Sequence, residues 1–536
     1  MTDWWRGSVT YQVYPRSFQD SDGDGIGDLK GITARLPHIA DLGVDAVWLS
    51  PVFTSPMADM GYDVSDYTDI DPLFGTLADF DALLARAHGL GLRVIIDQVL
   101  SHSSAEHPFF KQSRMARSGP KADWYVWADP KPDGSPPNNW LSVFGGSAWE
   151  WDARRRQYYL HNFLTSQPDF NFHNPQVQDW LLGVMRFWLD RGVDGFRLDT
   201  VNFYFHDAKL RSNGPEPRLE NLPAVNPYDM QDHIYSKTRP ENIGFLERMR
   251  VLLDEYEGRA MVGEVGEGAA RALQVMAQYT SGGRLHMAYS FDMLGPHFTA
   301  AHFRSRIEGF FAAAPEGWPC WAFSNHDVIR HVTRWQKFGA PDDLARQAAA
   351  MLLSFEGSVC LYQGEELGQT ETDIEFHELT DPPGFTFWPD YKGRDGCRTP
   401  MVWDASEIGG FSAGKPWLPI KAPQRRRNVA TQLGVPGSVL ETYRALLTFR
   451  RGAPALHDGQ SRFLDLPEPL LGFVRGEGAG ALTCLFNLGA DPAALVLVGM
   501  PAIAGPTQAA MLDASRLTLG ANGWAYLRGV DLVTAD

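Results

Sequence analysis

Short β-branched or aromatic runs alternate with amphipathic stretches along most of this chain. Val9–Tyr14, Ala46–Leu49, Arg93–Ile96, Gly195–Leu198, Ala260–Gly263, His286–Phe291, Trp318–Phe323 and Ser358–Tyr362 read as strands. Between them apolar residues recur at helical spacing. In Leu77–His88, for example, Leu77, Phe80, Leu83, Leu84 and Ala87 share one face, and Thr76 with Asp79 makes a capping box. Eight strands with intervening helices predict an α/β fold closed as a (β/α)8 TIM barrel.

The gaps are uneven. The stretch 101–174, after the third strand, is rich in Trp, Pro, Gly and Asn and is too long for a bare loop. It predicts a small inserted domain over 102–168 that divides the barrel into 1–101 and 169–456. A second irregular region, Gln369–Pro423, follows the eighth strand. Beyond a helix around Leu440–Arg451, short alternating runs separated by turn residues predict a C-terminal antiparallel β domain, a sandwich, over 457–536.

Composition narrows the function classes. With 536 residues, 44% hydrophobic and 21% charged, the chain can bury a large core, which excludes disorder. Lys and Arg number 48 against 65 Asp and Glu, a formal charge of -17. Such a chain repels phosphate backbones and anionic lipid, so neither nucleic acid nor a membrane surface is an expected partner. The longest apolar run, near Ala493–Gly505, is broken by Gly and Pro. The four cysteines show no C-x-x-C spacing, and MTDWWRGSVT lacks the marks of a secretory signal, so a cytoplasmic location is the expectation. The 17 tryptophans matter more, because aromatic faces suit sugar rings.

In a TIM barrel, chemistry gathers where strands end. The third strand ends in Asp97 and His102 (DQVLSH) and the fourth in Arg197 and Asp199 (GFRLDTV). Glu264 (GEV) ends the fifth, and Asn325, His326 and Asp327 (SNHD) the seventh. Clustered carboxylates serve either a metal or glycosidic-bond cleavage. The close His spacings of a barrel metal site, H-x-H or H-E-x-x-H, are absent. Arg197 and Asp199, two apart on a strand, point the same way, so the guanidinium is expected to hold Asp199 ionised as a nucleophile. Like charges at Asp199 and Asp327 are expected to raise the pKa of Glu264 and make it the acid/base.

These four segments resemble, in order, the signature blocks of the α-amylase superfamily (glycoside hydrolase family 13). QPDFN, 167–171, resembles the extra block of its oligo-1,6-glucosidase and α-glucosidase branch. The nearest likeness is to bacterial exo-acting α-glucosidases. One block departs, with Ser101 where many members have Asn. The resemblance implies a retaining double displacement on small oligosaccharides, with transglucosylation: Asp199 attacks, Glu264 protonates the leaving oxygen, and Asp327 holds sugar hydroxyls. It places His102, Arg197 and His326 against the first sugar, with Tyr62 stacking on it. Phe144, Phe163 and Gln167 are weaker matches in the inserted domain. Asp59 and Arg394 resemble the pair that closes the pocket around a terminal glucose, while Arg398 is read as structural. Thr200, after the nucleophile, is expected to shape the first acceptor site and favour α-1,4 over α-1,6 linkages, maltose and sucrose over isomaltose. Oligo-1,6-glucosidase and sucrose- or trehalose-isomerising enzymes remain as alternatives within the family. A non-catalytic transporter subunit of the same fold remains outside enzymes, although all three carboxylates are present.

Near the start, Asp20, Asp22, Asp24, Ile26 and Asp28 alternate as in the first nine positions of a calcium loop, but Gly31 stands where the bidentate Glu would be. A helix–loop–helix calcium sensor is therefore excluded, and the resemblance implies a structural Ca2+ or Mg2+. The GFSAG segment at 410–414 matches an esterase pattern, but no strand precedes it.

Overall fold

The structure, a computed structural model, describes residues 3–217 and 225–535. Eight parallel strands form the central sheet: Val9–Val13, Ala46–Leu49, Arg93–Gln98, Gly195–Leu198, Ala260–Val265, Met287–Ser290, Cys320–Trp321 and Ser358–Tyr362. Each pairs with its neighbours in sequence, the first joins the eighth at Val9↔Val359, and an Ala288↔Pro319 bridge closes the ring. All eight lie within two residues of the strands read from the sequence.

Alternation along these strands sorts side chains to two faces. Trp48, Ile95, Val262, Met287 and Cys360 fill the barrel interior, while Val47, Val94, Ile96, Phe196 and Leu361 pack outward against the helices. The helix Leu77–Gly89 starts on the expected capping box, with both Thr76–Asp79 bonds present, and buries Phe80, Leu83, Leu84 and Ala87.

Three excursions crown one end of the barrel. After the third strand come the helix Pro108–Ser113 and a small sheet of Trp127–Ala128, Trp149–Asp152 and Gln157–Leu160. After the eighth strand, short turns lead through Pro382–Phe387 and Asp395–Arg398. A third, which the sequence pattern does not announce, separates the fourth strand from the helix Asn242–Leu253 and includes the paired strands Gly214–Pro215 and Gln231–Asp232.

The terminal strands form one hydrogen-bonded sheet where two sheets of a sandwich were expected. The twenty-residue strand Arg516–Ala535 pairs at both ends with Ala493–Ile503, so the sheet folds over on itself. Leu485, Leu495, Leu497, Leu517 and Leu527 fill the fold, while Phe473, Phe486 and Tyr526 of the other face join the main core.

Buried amides fasten this sheet to the barrel helix Pro341–Leu352. Asn522 Nδ2 donates to Gln347 Oε1 at 3.1 Å and to the Phe338 carbonyl at 3.2 Å, and Gln347 Nε2 donates to the Asn487 carbonyl at 2.7 Å. Asn522 also sits at φ 49°, a region Asn tolerates better than Ala. Asn522→Ala leaves the buried Gln347 Oε1 and the partly buried Phe338 carbonyl short of a donor and is expected to cost about 1–3 kcal/mol. Thermal unfolding should show a lower midpoint with unchanged kcat.

Candidate active site

The interior of the barrel turns from apolar to charged within one inward step. Ile95 is followed on its face by Asp97, Val262 by Glu264 and Met287 by Tyr289. Arg197 joins them from the fourth strand and has no exposed surface. Its Nη1 donates to Asp97 Oδ1 at 3.0 Å and to Asp199 Oδ1 at 2.6 Å, and its Nη2 pairs with Glu264 Oε1. The Tyr289 hydroxyl accepts from Arg197 at 2.8 Å and donates to Glu264 Oε1 at 2.9 Å.

This arrangement corrects the expected division of labour. Arg197 touches both Asp199 and Glu264, so it does not single out Asp199. Burial pushes both carboxyls up to about 7 against the pull of Arg197, helped by neighbouring carboxylates. The pair titrates as a unit and holds a proton close to neutral pH, which is the state a nucleophile and a general acid need together. Burial also raises Asp97, to about 6. For Asp327 burial is outweighed by the Arg394 and Arg398 guanidinium groups, which hold its carboxyl below the usual range. Arg197 itself lies beneath the carboxylates and reaches a sugar only through them.

The far wall of the site is a charged clamp. Arg394 Nη2 donates to Asp59 Oδ1 at 2.8 Å and to Asp381 Oδ1 at 2.7 Å, and Nη1 approaches Asp327 Oδ1 at 3.3 Å. The expected Asp59–Arg394 pair is thus present, with Asp381 as a partner the sequence did not reveal. Arg398 is fully buried and holds Asp327 Oδ1 at 2.9 Å and the His326 carbonyl at 2.7 Å. Gln167 is buried behind the wall and donates to Asp59 Oδ2 at 3.0 Å.

Tyr62 stacks on His326 with centroids 5.3 Å apart, and its hydroxyl lies 2.5 Å from His326 Nε2. Gln12 of the first strand faces His326 Nδ1 at 2.8 Å. Burial pushes His102 down to about 4 and His326 well below its ordinary value, so both are neutral donors and acceptors. Ser101, the departure in its block, bonds His102 Nδ1 at 2.8 Å and Thr200 Oγ1 at 3.0 Å. Thr200 sits at φ 42°, a strained conformation for a β-branched residue, with its N–H on Glu264 Oε2 at 3.2 Å.

The cavity holds about 650 Å³, within the range of small-ligand pockets. Asp59, Tyr62, His102, Asp199, Thr200, Glu264, His326, Asp327 and Arg394 line it. Phe144 and Phe163 line it too, half-buried, with Phe144 4.9 Å under the Arg394 guanidinium. Phe203, Phe291, Phe387 and Tyr391 widen the aromatic wall, and Tyr228 and Lys237 come from the unannounced excursion. Aromatics in periodic runs read as core, so sequence reasoning had no means to assign them here.

Away from the cavity, Asp20, Asp22 and Asp28 offer carboxylate oxygens within 4.8 Å of one another, and Asp24 lies outside that cluster. Asp20 also accepts from the Gly23 and Gly25 N–H groups and from Ser412 of the esterase-like segment at 2.5 Å. Ser412 therefore braces this loop. Three hard oxygen donors so close suit Ca2+ or Mg2+.

A model of the alpha amylase catalytic domain matches residues 12–459. The chain belongs to the alpha-amylase family. It is a glycoside hydrolase, which removes the non-catalytic scaffold. It is 60% identical over 498 residues to a probable alpha-glucosidase of Rhizobium meliloti (strain 1021), covering 92% of this chain and 90% of that one. It is 36% identical to an oligo-1,6-glucosidase of Heyndrickxia coagulans, covering 88% and 89%. Among solved family structures, the alpha-glucosyl transfer enzyme XgtA superposes with a TM-score of 0.94 at 53% identity, over 99% of this chain and 100% of that one. The trehalulose synthase MutB from Pseudomonas mesoacidophila MX-45 gives 0.88 at 33%, over 98% and 100%.

Burying Glu264 has a pH signature. Its folded-state pKa lies above the ordinary carboxylate value. Stability from this group is therefore complete below that ordinary value and is lost as pH rises toward about 7. Glu264→Gln removes the loss and should raise stability relative to wild type at pH 8 by on the order of 1–3 kcal/mol, and with it the unfolding midpoint, but not at pH 4. Differential scanning calorimetry at the two pH values reads the difference.

Proposed function

We propose that this hydrolase is a retaining, exo-acting α-glucosidase that removes terminal α-1,4-linked glucose from short oligosaccharides and also transfers it. The observation that carries this reading is the clamp of Asp59, Arg394 and Asp381 across the cavity beside Asp199, Glu264 and Asp327. A long chain cannot thread past such a wall, so one terminal sugar fills the pocket. The names of the relatives, an alpha-glucosidase and an alpha-glucosyl transfer enzyme, agree with cleavage and with transfer.

In this reading Asp199 Oδ2 attacks the anomeric carbon, because Oδ1 is tied to Arg197. Glu264 gives its proton to the leaving oxygen, and the glucose remains covalently bound to Asp199. Glu264 then takes a proton from water, or from an acceptor hydroxyl, and the oxygen so activated displaces the enzyme carboxylate. One guanidinium holding both carboxyls suits the separation of about 5–5.5 Å that this route needs, rather than the wider gap of an inverting pair. Ionised Asp327 and neutral His102 and His326 would bind the sugar hydroxyls and favour its oxocarbenium-like state. The free, buried cysteines suit a cytoplasmic enzyme.

Product analysis on maltose, isomaltose, sucrose and trehalose tests the function. Free glucose from maltose and sucrose is expected, while rearranged disaccharide would establish an isomerase. Asp199→Asn should abolish turnover with the fold retained; substantial residual activity would remove Asp199 as nucleophile.

Thr200 tests linkage. Its hydroxyl faces the catalytic pair, and a single group in a pocket is worth about 1–3 kcal/mol, or roughly 10–200-fold in selectivity. Thr200→Val is expected to shift the kcat/KM ratio from maltose toward isomaltose. Wild-type preference for isomaltose would promote the oligo-1,6-glucosidase reading instead.

For the acidic loop we propose a structural Ca2+ or Mg2+ held by Asp20, Asp22 and Asp28 with the Ile26 carbonyl, while Asp24, outside that cluster, accepts from the Ile26 N–H. The ion would neutralise and brace the loop, and no catalytic step uses it. Chelator should lower thermal stability more than initial rate at low temperature. A prompt, reversible loss of rate without a change in stability would contradict this role.

A further inference from the structure

Strand register places Tyr289 beside Glu264 inside the barrel, as partners on the fifth and sixth strands. The Tyr289 hydroxyl lies 3.1 Å from Arg197 Nε, 2.8 Å from Arg197 Nη2 and 2.9 Å from Glu264 Oε1. The steps above give it no part.

The hydrogens here follow from the chemistry of the groups. A guanidinium only donates, so the phenol oxygen accepts from Arg197 and its single proton is left for Glu264 Oε1. Burial pushes the phenol well above its ordinary pKa, so that proton stays on it. Oε1 also pairs with Arg197 Nη2. A carboxylate oxygen offers two lone pairs, and both on Oε1 are then occupied. Among the described residues Oε2 takes one N–H, from Thr200 at 3.2 Å, and so keeps a lone pair for the acid proton.

We propose that Tyr289 is a positioning residue whose hydroxyl, turned by Arg197 onto Glu264 Oε1, confines the acid proton to Oε2. This rests on the reading of Glu264 as the acid/base of an α-glucosidase. Oε2 gives its proton to the leaving oxygen as the glycosidic bond breaks, and takes one from water in the second step. Oε1 keeps both of its donors throughout. The same hydroxyl favours the ionised form of Glu264, because a donor stabilises a carboxylate more than a carboxylic acid.

The test is Tyr289→Phe, which removes the hydroxyl and leaves the ring. The readout is the pH profile of kcat/KM on the disaccharide cleaved fastest. Its basic limb reports loss of the acid proton, and its acid limb reports protonation of the nucleophile. The charged groups facing Glu264 are Asp97 of the third strand, Arg197 of the fourth, Asp199 after the fourth and Asp327 after the seventh; none of them is altered. The basic limb should move up by about one pH unit while the acid limb stays in place. Both limbs rising together would show that Tyr289 only steadies Arg197, which faces both carboxyls, and would overturn the proposal. Limbs that do not move would overturn it too.

Infrared spectroscopy gives a second reading that does not depend on how the Phe variant folds. The acid-minus-base difference spectrum of wild type, less that of Glu264→Gln, isolates the carboxylic C=O band of Glu264. Isotope-labelled glutamate separates this band from those of Asp199. A carbonyl at Oε1 with two donors should absorb at lower frequency than one at Oε2 with a single N–H. A band at the single-donor position would put the proton on Oε1 and overturn the proposal. Absence of wild-type turnover on every α-glucoside would remove the functional reading, and the infrared band would still decide where the proton sits.

Discussion

One buried guanidinium organises the catalytic end of this barrel. Three carboxyls, from Asp97, Asp199 and Glu264, converge on the fully buried Arg197 at the floor of the cavity. Without the cation their repulsion and desolvation would be prohibitive. With it, the three carboxyls share about one proton near neutral pH, and in the proposed mechanism small movements of that proton serve acid and base steps in turn. The cation is fixed by its strand, by the Tyr289 hydroxyl and by the Trp48 ring 4.9 Å away. It therefore sets the position of the reacting oxygens as well as their charge.

A second cation governs shape in place of protonation. Arg394 joins Asp59, from the loop after the second strand, to Asp381, from the turns after the eighth. Both partners are buried, so the wall is held by ion pairs far less exposed to salt than surface pairs are. In the proposed reading the two guanidinium groups divide the tasks of the site, one presenting the chemistry and the other limiting what reaches it.

Much of this was legible in the sequence, and the omissions have physical causes. Asp199, Glu264 and Asp327 stood out because three carboxylates fall together at the strand ends on one side of a barrel, within the segments GFRLDTV, GEV and SNHD. Asp97 was seen at a strand end, but its bond to Arg197 depends on which strands are neighbours, a fact of closure. Tyr289 was hidden because an aromatic within an apolar strand reads as packing. Asp381 lies in a turn-rich stretch without periodicity, as do the residues that carry Tyr228 and Lys237 to the cavity. The fold-over of the terminal sheet escaped because alternation gives faces to a strand but says nothing of where a twenty-residue strand bends.

Closure of the ring between Val9 and Val359 also sets a timetable. Synthesis proceeds from the amino terminus, so the first strand must wait for some 350 further residues before its partner exists. Asp59 waits as long for Arg394. A growing chain therefore carries Asp59 without its cation and its barrel edges unpaired until late, and only a nearly finished chain can assemble the pocket. Premature termination before residue 394 yields a polypeptide without the wall that confines its substrate. Selection on this protein must therefore act on how safely the unfinished chain waits as well as on the finished enzyme.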